Sequence, residues 1–353
     1  GIAVKKAAEF EAGMSEVKAI SGASGKEFEV LSAKAREMGA KTSFSATEAA
    51  EGLKYMALAG WDTNSMLTGI EPVLYLAEAG ALELGRASDL VTDSMSALGL
   101  SANDLVPYLD KVAQTSRKSN TDIDALMEAM VVAGGTFSRF NVPLEEANAF
   151  LGVLANRGTK GAEAGTALNA IMDRLTSGTG QAAKALDELG ISAFDSEGNF
   201  KGMEAVMLEV NDALSGMTDE QKAHYQSMIA GLNHGKSFEK MLQGLNDEYF
   251  DLKGEIKDSK GALEEMREEM MDNLLGALKE LSSAFEEMAI SLGNALVPYI
   301  KILASALLSL VNWFNNLNEK TKSFIALGAA LSSIFLIVGG ALLLWSDSCR
   351  RDH

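Results

Sequence analysis

The chain has 353 residues, a formal net charge of −18 and a single cysteine. One cysteine excludes a disulfide framework and a cysteine-based zinc module, and the acidic balance argues against a dedicated nucleic-acid-binding protein, which needs a basic surface. The length suffices for one large domain or for two to three smaller ones. Because alanine, leucine, methionine and glutamate are abundant relative to valine and isoleucine, the composition predicts an all-α fold.

Changes in residue pattern along the chain predict five segments. The first residue is glycine and no signal peptide follows it, so we expect the chain to lack an upstream part. The segments are an N-terminal helical lead-in at 1–45, a helical core at 46–205, acidic amphipathic helices at 206–287, a hydrophobic helical hairpin at 288–346 and a polar tail at 347–353.

Helix-start signals recur through the first three segments. Residues 45–48 (Ser-Ala-Thr-Glu) and 218–221 (Thr-Asp-Glu-Gln) have capping-box spacing, in which a hydroxyl and a side chain three residues later satisfy two backbone N–H groups. Residues 101–104 and 121–124 are similar starts, and Pro143 stands at an early helical position. Helices of about 10–18 residues joined by short polar turns predict a helical bundle.

Residues 191–200 (Ile-Ser-Ala-Phe-Asp-Ser-Glu-Gly-Asn-Phe) depart from helical periodicity. Alternation on both sides of a turn predicts a small β-hairpin, with Gly198 supplying the residue of positive φ. The acidic residues do not match a calcium loop, which needs glycine at its sixth position and glutamate at its twelfth. Counted from Asp195, those positions are Phe200 and Val206, so we predict no calcium site.

The acidic segment carries the pattern of a long amphipathic helix. Such a stripe is typical either of a coiled coil with partner helices in an oligomer or of a solvated helix with one buried face, and the sequence leaves both open. The apolar residues, spaced three or four apart, are Leu263, Met266, Met270, Leu274, Leu278, Leu281 and Phe285.

The most apolar stretch lies at 323–346 and contains no charged residue. As a helix it would measure about 36 Å, which exceeds the roughly 30 Å hydrocarbon core of a membrane. A preceding apolar stretch at 288–318 carries Lys301 as its only charge, and asparagines separate the two. The pair predicts a helical hairpin that is either a membrane segment or a buried core or interface hairpin. The residues assigned to the membrane segment are Phe324, Leu327, Leu331, Phe335, Leu336, Val338, Leu342 and Trp345.

Candidates for catalysis or ligand binding are few. The glycine-rich run at 157–166 lacks the Gly-Lys-Ser/Thr order of a phosphate loop. Instead, Gly161 and Gly165 lie four residues apart and are predicted to let two helices pack closely. His224 and His234 have no companion ligands in the sequence. We therefore predict no catalytic residue, no metal site, no cofactor and no enzymatic activity.

Several runs of residues carry a resemblance to a known family. The run at 151–168 (LGVLANRGTKGAEAGTAL) is the most specific because it is long and has fixed spacing. On these residues the chain resembles the phage tail tape measure proteins of the TP901 type over nearly its whole length, more weakly between about 206 and 285. The other similar runs are 42–50 (TSFSATEAA), 55–61 (YMALAGW), 190–199 (GISAFDSEGN) and 293–298 (GNALVP).

The resemblance implies a structural virion protein. A protein of this family is an extended helical rod, partly coiled coil, that lies in the lumen of the tail tube and templates tail assembly and length. The implied partners are the major tail tube protein, tail assembly chaperones, tail tip proteins and further copies of the chain itself, without specific nucleic-acid binding.

The resemblance also implies three locations: the host cytoplasm during assembly, the virion tail afterwards, and the host cytoplasmic membrane during DNA ejection. The hairpin at 288–346 is the candidate for the membrane step. Family members run much further after this segment, so we expect a truncated chain, for example from a prophage gene. A membrane-active pore or toxin-like helical protein is the alternative interpretation.

Overall fold

The computed structural model describes residues 1–319 and 321–322, and its helices confirm the all-α prediction. The chain divides into two units, Gly1–Ser291 and Leu292–His353. The first helices are α1 (Ile2–Ser21), α2 (Lys26–Lys41), α3 (Ala46–Leu58), α4 (Thr63–Gly80) and α5 (Leu84–Leu98). After a short 3₁₀ turn at Ala102–Asp104 come α6 (Leu105–Lys118), α7 (Ile123–Arg139), α8 (Leu144–Asn156), α9 (Gly161–Thr176) and α10 (Gly180–Glu188). The last are α11 (Met203–Ser215), α12 (Asp219–Gly244), α13 (Asp247–Lys257), α14 (Ala262–Met271) and α15 (Leu274–Asn315).

The two capping boxes read from the sequence form as predicted. Before α3, the Ser45 hydroxyl accepts from the Glu48 N–H at 3.2 Å, and the Glu48 carboxylate accepts from the Ser45 N–H at 2.8 Å. Thr218 and Gln221 repeat the arrangement before α12, at 3.4 and 3.0 Å. These reciprocal bonds satisfy backbone N–H groups that have no partner inside the helix, so each fixes the point at which its helix begins.

Two other helix starts differ by one residue from the expectation. The cap of α7 is Asp122, whose carboxylate accepts from the Ala125 N–H at 2.8 Å. Pro143 stands at the N-cap of α8, immediately before the first helical residue. Both residues remain at positions where they lose no helical hydrogen bond.

Helix α7 lies at the centre of the first unit, where it packs against both α5 and α9. Its inward residues Leu126 and Met130 are buried as expected, whereas Val131 is only half-buried. Much of the surrounding core is alanine and methionine, which lets helices approach closely and fills irregular gaps. The largest fully buried side chains include Tyr108, Phe137, Phe150, Phe238 and Tyr249.

The predicted β-hairpin at 191–200 is wrong. The chain does reverse there, with Gly198 at a φ of 84°, but Phe194 and Phe200 form only an isolated antiparallel bridge, and the described residues contain no β-strand. Between α10 and α11 the pairing does not extend beyond this bridge, and the Ser192 hydroxyl donates to the Phe194 carbonyl at 2.7 Å. The rings of Phe194 and Phe200 pack 6.0 Å apart and join the core instead.

The single amphipathic helix expected through Leu263 and Phe285 is also wrong, because the chain breaks between α14 and α15. At the break, the Asn273 side chain accepts from the Gly276 N–H at 3.0 Å and starts a new helix. The long helix of the structure is α15, which has 42 residues. The five predicted segments stay a prediction, and the boundary between the two units falls between Ser291 and Leu292.

The start of α14 depends on a residue far away in sequence. Asp110 of α6 is buried, and its carboxylate accepts from the N–H of Gly261 at 2.9 Å and from that of Leu263 at 3.1 Å. The side chain therefore caps a helix that lies about 150 residues later.

We expect Asp110→Ala to lower the free energy of unfolding by about 2–3 kcal/mol, because two backbone N–H groups lose a charged acceptor. The measurement is chemical denaturation followed by circular dichroism. Asp89→Ala on the exposed surface of α5 serves as the control and should change stability by no more than about 0.5 kcal/mol. Equal losses in the two variants would show that the long-range cap contributes nothing.

Candidate functional surface

Helix α15 carries the most exposed apolar surface of the described chain. By length and composition it could cross a membrane, and none of its most apolar stretch is buried. A core helix of a soluble protein can have the same composition, but such a helix is mostly buried. Exposed apolar side chains of this size mark an interaction surface. The most exposed ones in the second unit are Tyr299, Ile302, Leu303 and Leu308.

Helix α15 would form the first arm of the predicted hairpin, and it ends at Asn315, within the predicted asparagine break. The second arm at 323–346 lies outside the described residues. The eight residues assigned to the membrane segment, from Phe324 to Trp345, therefore stay a prediction.

Within the first unit, the polar face of α15 contacts α1, α2 and the turn that follows α2. The Ser283 hydroxyl donates to the Ser43 carbonyl at 2.7 Å, and Lys6 forms an ion pair with Glu286 at 2.8 Å. At the next residue, the Arg36 guanidinium pairs with Glu287. Because these contacts are polar and partly hydrated, they hold the helix in place with little burial of apolar surface.

A buried ion pair joins α14 to the core. The Glu78 side chain is only 1% exposed; it pairs with Arg267 of α14 and also accepts from the Ser43 N–H at 2.7 Å. The Arg267 guanidinium lies over the ring of Tyr75, 4.6 Å from its centre. Burial lowers the pKa of Arg267, but the hydrogen bond and charge of Glu78 outweigh this effect and raise the pKa overall. An uncompensated charge at this depth would be strongly destabilising.

A second ionic cluster links α8, α11 and α13. The Lys253 ammonium contacts the Glu204 carboxylate at 2.5 Å and the Glu146 carboxylate at 3.3 Å, and the Tyr249 hydroxyl donates to Glu204 at 2.8 Å. Burial raises the pKa of Glu146 against the opposing effect of Lys253. Perturbed carboxylates occur at catalytic sites, but ion-pair networks between helices perturb them as well. Since one cation is shared between carboxylates from two helices, the arrangement fits such a structural network.

The two glycines predicted to allow close helix packing, Gly161 and Gly165, both lie on α9, but their surroundings differ. A Cβ atom built on Gly165 would lie 2.6 Å from the carbonyl oxygen of Ala129 on α7. Any side chain at this position would therefore force one of the two helices to move. Gly161 begins α9 with a φ of 58°, and its Cβ would lie 3.1 Å from the Glu128 carboxylate. Gly134 of α7 was not predicted as a packing residue, yet a Cβ atom there would lie 2.9 Å from that of Ala97. Helices α5, α7 and α9 thus approach each other at glycines.

The described residues contain no group of three or more histidines, cysteines or carboxylates placed to hold a metal ion. The candidate functional site is therefore the exposed apolar surface of α15.

Comparison with known proteins identifies the class. The chain belongs to the phage-related minor tail protein family, whose sequence profile matches residues 32–231. No solved structure shows significant similarity to the chain.

Two curated relatives confirm the resemblance to tape measure proteins. The chain is 31% identical over 271 residues to the tape measure protein of Pneumococcus phage Dp-1. This alignment covers 77% of the chain and 24% of the phage Dp-1 protein. The chain is also 29% identical over 272 residues to the probable tape measure protein of Escherichia phage P2. This second alignment covers 75% of the chain and 33% of the phage P2 protein. The chain thus spans about a quarter to a third of the length of these relatives.

Adding a methyl group at Gly165 tests the contact between α7 and α9. We expect Gly165→Ala to destabilise the fold by about 1–3 kcal/mol, because overpacking outweighs the better helix propensity of alanine. The matched control is Gly135→Ala, one position beyond Gly134, where a Cβ would meet nothing within 4 Å. That variant should be neutral or more stable by up to about 1 kcal/mol in the same denaturation experiment. A Gly165→Ala protein as stable as the Gly135→Ala protein would contradict the contact.

Proposed function

We propose that this chain is part of a phage tail tape measure protein, a non-enzymatic virion protein that lies in the lumen of the tail tube and templates tail assembly and length. The observation that carries the proposal is the identity of about 30% to two proteins named as tape measure proteins, over three quarters of the chain. The helical content supports it, because an extended helix measures length at about 1.5 Å per residue.

The proposed partners follow from this role. The major tail tube protein surrounds the chain, tail assembly chaperones keep its apolar surface soluble in the host cytoplasm, and tail tip proteins bind at one end. The exposed apolar face of α15 is the kind of surface that requires a chaperone before assembly. The acidic charge supports a lumen component that neither binds DNA nor is retained by it.

The second part of the proposal is that the hydrophobic hairpin, with α15 as its first arm, inserts in the host membrane during DNA ejection. The supporting observation is that the apolar stretch of α15 is unburied and long enough to cross a bilayer. The close contact at Gly165 supports a fixed helical bundle as the carrier of this helix, with Gly161 and Gly165 as packing residues. A pore or toxin-like protein would carry the same apolar helix, so the two functions differ in what the isolated chain does to a membrane.

Tail length tests the ruler function. Duplicating residues 219–244 in frame, in the phage that encodes the chain, should lengthen the tail by about 39 Å if these residues lie extended in the lumen. Electron microscopy of negatively stained virions measures the change, and the Gly135→Ala phage, which keeps the residue number, is the control. Tails of unchanged length with the duplicated protein inside them would contradict a measuring role for this region.

Membrane insertion is tested by flotation of the full chain with phosphatidylcholine vesicles. Leu303→Lys should reduce the membrane-bound fraction about tenfold or more, because a charge at the centre of an inserted helix costs about 2.5–3.5 kcal/mol. Leu232→Lys is the matched control: Leu232 is 91% exposed but lies in α12, so its substitution should have no effect.

Dye-loaded vesicles separate the two functions in the same experiment. A tape measure protein should bind without releasing the dye, since permeabilisation belongs to ejection. Rapid dye release by the isolated chain would favour the pore or toxin-like alternative. Equal flotation of the two lysine variants would contradict insertion through α15.

A further inference from the structure

Helix α12 is bent sharply at a single residue. Gly231 has a φ of 76° and a ψ of 168°, whereas the residues on both sides of it are helical. This backbone conformation is accessible essentially only to glycine, so the bend is a strained position rather than a gradual curvature. We call Gly231 the hinge, residues 219–230 the first arm and residues 232–244 the second arm. Neither arm contains a proline.

The side chain of Arg174, on α9, bonds to the end of the first arm. Its Nε donates to the Ile229 carbonyl at 2.8 Å, and one of its terminal nitrogens donates to the Met228 carbonyl at 3.1 Å. In an unbroken α-helix these two carbonyls accept from the N–H groups four residues later, which belong to Leu232 and Asn233. The guanidinium therefore takes the place of two backbone donors that a continuous α12 would supply.

The two arms are held by the core to different extents. The second arm buries Phe238, Met241 and Leu242 along its length. In the first arm, residues 228–230 are buried, and none of residues 219–227 is. The attachment of the first arm to the core is thus concentrated at its hinge end, beside the bonds from the guanidinium.

We propose that α12 is a two-state helix, bent while Arg174 occupies the carbonyls of Met228 and Ile229 and continuous when Arg174 is withdrawn. In the continuous state, the N–H groups of Leu232 and Asn233 replace the guanidinium. The 26 residues of α12 then form one straight helix of about 39 Å. Straightening removes residues 228–230 from the core, and this loss of apolar burial favours the bent state in the closed bundle.

The proposal goes beyond the ruler function, because it assigns a conformational change to this chain by itself. Separation of α9 from α12 is the event that would withdraw the guanidinium and release the first arm. The test uses the purified chain and no virion, so its failure and the failure of the ruler function are distinguishable.

Distances between two nitroxide labels, measured by double electron–electron resonance, distinguish the two states. In a Cys349→Ser background, the full chain carries Ala223→Cys in the first arm and Gln243→Cys in the second, both at exposed positions. In a continuous helix the Cα atoms of these residues lie about 30 Å apart, and in the bent helix they lie closer together. The chain without further substitutions should give the shorter distance.

Two variants should shift the distribution toward the longer distance. Arg174→Met keeps an aliphatic side chain but removes both donors, and we expect it to raise the population near 30 Å about tenfold. Gly231→Ala should have a similar effect, because alanine is strained at the φ of the hinge and favours a continuous helix. Its Cβ would also lie 3.2 Å from the guanidinium carbon.

Gly235→Ala is the matched control. It adds the same methyl group to the same helix, at a glycine without positive φ where a Cβ meets nothing within 4 Å, so the distribution should not change. An unchanged distance in either Arg174→Met or Gly231→Ala would overturn the two-state helix in favour of a permanent bend. A broad distribution with a loss of helix content in circular dichroism would overturn it too, because the released arm must remain helical.

Discussion

The buried Glu78 carboxylate determines how the last part of the first unit is arranged. A charge that is almost completely withdrawn from water must be met by a cation, and the partner is Arg267, which fixes the position of α14 against α4. The chain then breaks at Asp272 and Asn273, and α15 continues with Ser283, Glu286 and Glu287 turned toward α1 and α2. Once its polar face is turned inward, the apolar side of α15 has to point outward.

This arrangement gives the protein two kinds of helix contact. Inside the bundle, α5, α7 and α9 meet through glycine and alanine, and their backbones approach closely enough that one methyl group would collide with a carbonyl. On the outside, α15 is attached through hydrogen bonds and ion pairs and leaves its apolar residues uncovered. The bundle is thus closely packed, whereas the apolar side chains of α15 are exposed. Such a division suits a protein that belongs to the minor tail protein family and whose relatives are tape measure proteins.

Local signals in the sequence predicted much of the fold, and long-range ones did not. Capping boxes at Ser45 and Thr218 depend on residues three positions away, so their spacing is visible in the sequence. The break at Asn273 was missed because the apolar period of three and four residues continues through it. The period also predicts an apolar stripe but not what the stripe faces. The orientation of α15 follows from Arg36 and Lys6, which lie more than 250 residues earlier in the sequence. The prediction of a hairpin at 191–200 was wrong because alternation over so few residues does not by itself produce paired strands.

The carboxylate of Asp110 links the start of α14 to the earlier helix α6. The helix that it caps begins only when α6 is already folded, since the acceptor of its first N–H groups is supplied 151 residues earlier. A chain leaving the ribosome is made from its N-terminus, so α6 is available before α14 emerges. The residues of α15 are translated after Lys6, Arg36 and Ser43, which bind its polar face. The apolar residues of α15 therefore emerge after the residues that hold its polar face have been made.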